Sequence, residues 1–343
     1  LSYFLKKKGL NVILVEKTDC LFSAFKPVNI NKLRINNGFH GLEYPRAENL
    51  IQFLNKKIKI KLDRKLNNRK ILIGDCLLDS NTKFVDMPNK IKNIYRIKNL
   101  RNYKNQNIDF FFKKNFLKKI KKNLEKFSDD NKISKRFILP WFLPSDVINI
   151  TKDEGMLFRQ KVKRGQVTPN YFYPKSGLFF DFNKNFYNVL KKNNVDIRFK
   201  SFIKFYKNKI ILNSNQKNEA LDFKNNIFIN CTSSVFMLQN FKNNFLKSLT
   251  NNKRFFFNIL LRIKKNEITS DFSEVLCLNY KVPVLNRLSI AHHLDNKKYR
   301  YLQLECISKR NYMSLIEKRE IIKQLVKLFS LSYCKLEGSV QSR

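Results

Sequence analysis

The first sixteen residues constrain the fold of this chain more than any other segment. Residues 2–8 carry the pattern of a helix end, and Gly9 follows where helices commonly stop in the left-handed conformation that glycine tolerates. Residues 11–16 (NVILVE) are then a short, nearly continuous apolar run that ends in an acid. Such a run is typical of a strand buried on both faces of a parallel sheet. The segment therefore predicts a helix, a glycine turn and a buried parallel strand.

The acid that ends this run, Glu16, is a candidate ligand contact. In dinucleotide-binding βαβ units a carboxylate at the end of the second strand follows the glycine-rich phosphate loop by about 20 residues and accepts hydrogen bonds from ribose hydroxyls. Counting back from Glu16 passes residue 1, which is Leu rather than Met, so we expect that loop to precede this sequence. An acid that merely ends a strand is the alternative.

A second candidate segment is residues 37–42 (NGFHGL). Two glycines that flank Phe39 and His40 predict a tight turn, and Gly38 would let the main chain approach a flat ligand closely. His40 titrates near neutral pH and could donate a hydrogen bond to such a ligand or to an anionic substrate. A loop histidine that satisfies local backbone groups is the alternative.

A third candidate is Arg287, a permanent cation beside the apolar run of residues 282–288. A guanidinium there is suited to binding a phosphate or a carboxylate. An ordinary ion pair with Glu305 is the alternative.

Hydrophobic periodicity predicts the remaining elements. Helices are predicted over residues 46–57, 109–127, 182–190 and 315–331. Strands are predicted over residues 195–199, 210–212, 227–230, 255–263, 275–278 and 301–306, with a turn at 173–177 (YPKSG) and a hairpin at 207–209. Because helices and strands alternate at both ends around an antiparallel section, we predict an α/β fold with a second domain.

Taken in order, these segments resemble the FAD-dependent superfamily of protoporphyrinogen oxidases, amine oxidases and UDP-galactopyranose mutases. Residues 9–17 look like the second strand of that family, with Glu16 and Lys17 at the cofactor. Residues 37–40 are similar to its D/N-G-x-H segment, which places Gly38, Phe39 and His40 near the flavin.

Later segments extend the resemblance. Residues 173–177 are similar to the Y-P-x-G-G turn that re-enters the FAD domain, and Ile203 matches the position whose backbone meets the adenine end. Cys231 and Thr232 match a strand end at the cofactor. Residues 282–287 resemble a substrate-domain strand, so the substrate-binding candidates are Tyr173, Arg287 and Glu305.

The resemblance implies a Rossmann-like FAD-binding domain with a parallel sheet and an inserted α+β substrate domain that contains an antiparallel sheet. Its expected order is a first part of the FAD-binding domain (1–60), a mainly helical part of the substrate domain (61–170), a return to the FAD-binding domain (171–240), and a substrate-domain sheet and helix (241–335). The implied cofactor is FAD, and the implied activity is oxidation of an anionic small molecule. Catalytic residues and oligomeric state are left open.

Three alternatives stay open. A UDP-galactopyranose mutase-like flavoenzyme acting on a nucleotide-sugar lies within the same superfamily. A non-catalytic relative is suggested by residues 22–25, which stand where paired glycines are usual, and by Ser176, which replaces a glycine. No C-terminal Gly-Asp segment precedes Arg343, so this sequence is expected to be a fragment whose own FAD binding is open.

The formal charge of +42 suggests the third alternative, a basic RNA- or membrane-binding protein without flavin. The lysines are spread along the whole chain, which favours compositional drift instead. Most phenylalanines occupy apolar-periodic positions and are expected in the core, so we expect no specific nucleic-acid partner. A peripheral membrane contact remains open, with the helix predicted at residues 109–127 as one candidate surface.

The cysteine spacing and the lengths of the apolar runs argue against metal-binding, membrane-spanning and secreted proteins. The six cysteines lack zinc-ligand spacing, so no metal site is expected, and their scatter through apolar runs predicts reduced, buried thiols in the cytoplasm. The longest apolar stretches fall short of the roughly 18–20 residues that span a bilayer. No signal peptide is predicted.

Overall fold

The fold divides into two compact units, each assembled from separate stretches of the chain. The computed structural model describes residues 1–38, 41–66, 68–73, 76–83, 86–89, 92, 122, 126, 154–206, 209–213, 218–222, 226–229, 231, 255–268, 272–277 and 284–341. Unit 1 comprises Leu1–Pro27, Gln52–Leu62 and Pro174–Arg254. Unit 2 comprises Val28–Ile51, Asp63–Tyr173 and Phe255–Arg343.

The elements are numbered in chain order. The helices are α1 (Ser2–Lys7), α2 (Glu48–Phe53, continued by a π-helical turn at Leu54–Ile58), α3 (Glu154–Lys163), α4 (Phe182–Lys192) and α5 (Leu315–Phe329). The strands are β1 (Ile13–Val15), β2 (Val28–Ile30), β3 (Leu33–Ile35), β4 (Leu42–Tyr44), β5 (Leu62–Leu66), β6 (Arg69–Ile73), β7 (Cys76–Asp79), β8 (Asn170–Pro174), β9 (Asp196–Arg198), β10 (Phe202–Tyr206), β11 (Lys209–Asn213), β12 (Asn218–Asp222), β13 (Phe255–Lys264), β14 (Glu274–Cys277), β15 (Val284–Ile290), β16 (Tyr299–Ser308) and β17 (Cys334–Gln341). Short 3-10 turns lie at Ser23–Phe25, Phe179–Asp181 and His292–Leu294.

Unit 1 is built around a parallel pair of strands, β1 and β9, in register from Ile13 opposite Asp196 to Val15 opposite Arg198. The predicted helix, glycine turn and parallel strand at the chain start are confirmed. The prediction that β1 is buried on both faces is wrong. Leu14 packs against the cluster of Leu21, Leu190 and Val195, but Ile13 points to the opposite face and is 38% exposed.

The predicted helix at α4 and the predicted hairpin after β9 are both present, and both belong to unit 1. The helix ends at Lys192 with Asn193 as its C-cap, and Asn194 takes a left-handed conformation (φ 54°) that turns the chain into buried Val195 and β9. Strands β10 and β11 then pair antiparallel around residues 207–208, which lie outside the described residues. Strand β12 adds to β11, which leaves β10 as one edge of this three-stranded sheet.

Unit 2 is built on a seven-stranded sheet in the order β17-β13-β16-β15-β14-β6-β7. Neighbouring strands are antiparallel except β14 and β6, which run parallel. One face of the sheet is apolar and packs against α5, because side chains alternate between faces along each strand. Its core members include Ile259, Leu261, Leu302, Leu304, Ile321 and Leu325.

The smaller sheets of the chain consist of short strands. β2 pairs antiparallel with β3, and β4, β8 and β5 form a three-stranded sheet. Ile30 and Ile35 from the β2–β3 hairpin pack with Leu260 on the face of the large sheet opposite α5.

Two predicted regions have other outcomes. Residues 226–229 form no strand, and Ile227 and Ile229 are 86% and 45% exposed, so the buried strand predicted at 227–230 is wrong. The run holds only three apolar residues, which is too short to distinguish a strand from an exposed loop. The helix predicted at residues 109–127 lies outside the described residues except at 122 and 126. None of the described helices combines the length and apolarity needed to cross a bilayer.

Candidate functional site

The first candidate site surrounds Glu16, which directly follows β1. Its backbone N–H donates to the Arg198 carbonyl at 2.9 Å and so extends the pairing with β9. The backbone N–H of Thr18 donates to carboxylate oxygen Oε1 at 2.9 Å, and the Thr18 hydroxyl lies 2.9 Å from the same oxygen. Within the described chain, the partly exposed carboxylate keeps Oε2 without a protein hydrogen-bond partner. One oxygen is therefore fixed and the other can accept a hydrogen bond.

The segment that leads into β10 lies against Glu16. The Ser201 N–H donates to the Glu16 carbonyl at 3.1 Å, and the Lys200 N–H donates to the Thr18 carbonyl at 2.9 Å. Ile203 follows two residues later on β10, and Lys17 is exposed beside Glu16. These residues lie beyond the carboxyl ends of two parallel strands, where open α/β sheets bind their ligands.

The second candidate site is the face of the large sheet opposite α5, here called the polar face. The strand register places polar residues of neighbouring strands directly opposite one another, in two rows. One row runs through Asn258, Glu305 and Arg287, and the next through Gln303, Ser289, Glu274 and Arg69. Four of them are almost fully buried: Asn258, Gln303, Ser289 and Glu274. Buried polar side chains are retained where hydrogen bonds satisfy them, so the rows mark a built polar layer.

Glu274 is the centre of the charges on this face. Its Oε1 accepts hydrogen bonds from the Arg69 Nε and, at 3.1 Å, from the Tyr171 hydroxyl. Its Oε2 lies 3.2 Å from the Arg287 Nε. Arg287 also pairs with Glu305 through an Nη1–Oε1 distance of 3.9 Å. The ion pair that the sequence left as an alternative for Arg287 is therefore present, with Glu274 as a closer partner.

The loop that contains Gly38 lies on the polar face. Gln303 Nε2 donates to the Asn36 carbonyl at 2.8 Å, and Asn258 Nδ2 donates to Asn37 Oδ1 at 3.2 Å. Gly38 has φ +98°, and a Cβ there would lie 3.4 Å from Glu305 Oε1. Both the left-handed backbone and the close carboxylate favour glycine at this position.

Tyr173 joins the same face from β8. A Cβ on Gly41 would lie 3.3 Å from its hydroxyl oxygen and 2.9 Å from Cδ1 of Tyr171, so the chain approaches both rings closely at this glycine. Burial, and then the nearby Glu274 carboxylate, raises the pKa of the Tyr173 hydroxyl well above its ordinary value. The hydroxyl therefore stays protonated and can donate a hydrogen bond.

The structure thus brings the four predicted residues Gly38, Tyr173, Arg287 and Glu305 onto one face in unit 2. Glu16, Lys17 and Ile203 lie together in unit 1. Cys231 is exposed, so the prediction of a buried thiol is wrong there, and Phe39, His40 and Thr232 lie outside the described residues.

Sequence reasoning missed most of the polar face, including Arg69, Tyr171 and Glu274 and the buried polar residues Asn258, Gln303 and Ser289. The one sequence signal for Glu274 was a glutamate at the start of an apolar strand. Its partner Arg69 lies 205 residues away in the chain, so only the strand pairing shows that the two are neighbours. In the described part of the chain, no three His, Cys, Asp or Glu side chains are grouped as metal ligands would be.

Several solved structures share this fold. They include a candidate protoporphyrinogen oxidase from Exiguobacterium sp. 255-15, with a TM-score of 0.58, 12% identity, and coverage of 99% of this chain and 82% of that one. A CLA-producing fatty acid isomerase from P. acnes matches with a TM-score of 0.53 and 12% identity, over 99% of this chain and 82% of that one. A triple mutant of putrescine oxidase matches with a TM-score of 0.52 and 7% identity, over 97% of this chain and 80% of that one. No protein-family model matches the sequence, and no curated protein matches it.

At these identities the likeness concerns the fold. The chain has a mixed α/β fold with parallel and antiparallel sheets, similar to the folds of the candidate protoporphyrinogen oxidase and of putrescine oxidase. The predicted fold class is confirmed at that level.

Proposed function

We propose that the protein is an FAD-dependent oxidoreductase. The observation that carries the proposal is the Glu16 carboxylate at the carboxyl end of β1, with Oε1 held by Thr18 and Oε2 open to a ligand. A carboxylate in this place fits the vicinal hydroxyls of an adenosine ribose. The likeness to oxidoreductase folds supports the same conclusion.

The residues around Glu16 fit an FAD adenosine. Glu16 would accept from the ribose, Lys17 would lie beside it, and β10 would offer backbone groups near Ile203, because an edge strand leaves part of its N–H and C=O groups unpaired. When bound, FAD supplies the oxidation and reduction of a substrate carbon. The protein's part is to bind, orient and protect the reactants.

We place the substrate on the polar face of unit 2. Tyr173, whose hydroxyl stays protonated, and Glu305, which lies beside Gly38, place polar groups on this face. Glu274 and Glu305 hold the Arg287 guanidinium between them, which limits its rotation. Such held side chains favour a single substrate orientation.

For the substrate class we propose an anionic small molecule, with nucleotide-sugars as one candidate group. The support is long-range: a net charge of +42 attracts anions to the whole surface. The polar face itself carries two arginines, Arg69 and Arg287, opposed by Glu43, Glu274 and Glu305. Recognition on that face therefore depends on directed hydrogen bonds more than on net charge.

Bound flavin is tested by absorbance of the purified protein in the near-ultraviolet and blue, before and after incubation with FAD. Glu16→Gln should weaken FAD binding about 10–100-fold, since hydrogen bonds to a charged group contribute roughly 1.5–3 kcal/mol. Glu320→Gln removes an equal charge from the exposed side of α5 and should bind FAD like the wild type. Protein that stays colourless after incubation, or equal affinities of all three proteins, would overturn the proposal.

The substrate class is tested by thermal shift with nucleotide-sugars, diamines and inorganic phosphate at equal ionic strength. A ligand at a hundred times its dissociation constant adds about 2.7 kcal/mol of stability. Stabilisation by an anionic organic ligand beyond that by phosphate supports the proposal. Stabilisation by a diamine alone contradicts it.

A further inference from the structure

An exposed apolar tip stands where β16 leads into α5 in unit 2. It consists of Tyr312, Leu315 and Ile316, whose side chains are 54%, 64% and 78% exposed. Scattered exposed apolar residues are ordinary, but three within five positions make a contiguous patch.

The chain around the apolar tip is held firmly, so the exposure is a built feature. Met313 is buried in the core against α5 and anchors the segment between the exposed residues. Ser314 and Glu317 form a reciprocal capping box, with the Ser314 N–H donating to Glu317 Oε2 at 2.7 Å and the Glu317 N–H donating to Ser314 Oγ at 3.2 Å.

Arg310 braces the same segment from the other side. Its guanidinium pairs with Glu317 and lies 4.8 Å from the centre of the Tyr312 ring. The tyrosine is therefore held beside the start of α5, next to Leu315 and Ile316. A segment with buried and capped anchors on both sides of its exposed residues does not fray readily.

A basic ridge continues from the apolar tip along α5. It consists of three exposed cations, Arg319, Lys323 and Lys327. They follow Leu315 at intervals of four residues and therefore lie on one side of the helix. The opposite side carries Ile321 and Leu325 into the core, which directs the ridge toward solvent.

We propose that the apolar tip and the basic ridge dock the protein onto an anionic lipid bilayer surface. Leu315 and Ile316 enter the boundary of the acyl chains, and Tyr312 lies at headgroup depth, where tyrosine is favoured. The ridge cations meet the lipid phosphates along the membrane plane. This surface lies wholly in unit 2 and does not depend on flavin binding.

Charge decides among the possible occupants of this surface. A second copy of the chain would bring another basic ridge and another +42 charge against the first, which repels. Nucleic acid would satisfy the cations and could stack a base on Tyr312, but Leu315 and Ile316, the most exposed residues of the tip, offer no aromatic surface. An anionic bilayer satisfies both the aliphatic and the cationic parts.

The test is co-sedimentation with phosphatidylcholine vesicles with and without phosphatidylserine, at low and high salt. The whole-molecule charge alone gives some salt-sensitive binding, so the comparison of variants is decisive. Leu315→Ser with Ile316→Ser should weaken binding to anionic vesicles about tenfold or more and make the residual binding more salt-sensitive. Circular dichroism checks that the variant is folded.

The matched control is Ile227→Ser with Ile229→Ser, which removes the same chemistry from an exposed segment of unit 1. It should bind like the wild type. Equal binding of both double variants, or no binding of the wild type to phosphatidylserine vesicles at low salt, would overturn the proposal. A wild-type dimer that only the Leu315 and Ile316 variant loses would also overturn it, because the tip would then be a contact between two copies.

Discussion

Glu274 is the buried carboxylate on which two arginines of the polar face converge, so its replacement tests the electrostatic account of that face. Glu274→Gln keeps the side-chain volume and one acceptor oxygen but removes the charge that compensates Arg69 and Arg287. Breaking a fully buried ion pair destabilises by about 3–5 kcal/mol. Because the two arginine side chains keep 19% and 29% exposure, water compensates part of their charge. We therefore expect a loss of about 2–3 kcal/mol.

The assay is urea unfolding followed by circular dichroism, with hydrogen exchange in β14 and β15 to assign the transition to unit 2. The control is Glu320→Gln, whose carboxylate is exposed on α5 and whose loss should change stability by less than about 0.5 kcal/mol. A second variant, Glu274→Gln with Arg69→Met, removes one uncompensated charge and should recover part of the loss. If Glu274→Gln matches the control, or if the double variant simply adds two losses, the account is wrong.

Four further substitutions, all measured by urea unfolding, probe the stability of the fold around the sites. Ser314→Ala removes the cap of α5 and should cost about 1 kcal/mol. Gly338→Ala should cost about 1–3 kcal/mol, because its Cβ would lie 2.7 Å from Ile30 Cγ2, whereas Gly165→Ala, with open space around it, should cost about 1 kcal/mol or less. Burial raises the pKa of the Cys277 thiol from 9.0 to about 12, so its contribution to stability is complete below pH 9 and is lost as the pH rises toward about 12. Cys277→Ala should therefore flatten the alkaline decline in unfolding free energy, and an unchanged decline would assign it to other groups.

The elements that could be predicted from sequence are those whose signal is local. The stripe of Phe182, Phe186 and Leu190 defines α4, and the long apolar runs define β13 and β16. Strands of three residues, such as β2 and β3, are too short to carry a period and exist because they pair with each other. The strand predicted around Ile227 is absent. A run this short does not by itself form a strand or bury its apolar side chains.

The candidate site residues follow the same rule: those with a local sequence signal could be predicted, and those that depend on strand pairing could not. Glu16 could be found because helix, glycine, strand and acid are consecutive. Gly38 could be found because two glycines flank Phe39 and His40, and the structure adds the reason, a left-handed backbone next to the Glu305 carboxylate. Glu274 could not be found, because its role depends on Arg69 and Arg287 being brought beside it by strand register.

The ion pairs of the described chain bear on how the large positive charge should be interpreted. Partly buried cations with carboxylate partners are mostly arginines, as in Arg262 with Glu337 at 2.8 Å and Arg300 with Asp295 at 3.4 Å. The chain has only 27 acids against 69 lysines and arginines, so most of these cations depend on water rather than on an acid of their own. This distribution favours compositional drift on the solvated surface, with arginine and acid placed where the fold needs paired charge. Diffuse charge of that kind attracts any polyanion, and specificity must then come from features that charge does not supply, such as the Glu16 carboxylate and the apolar tip.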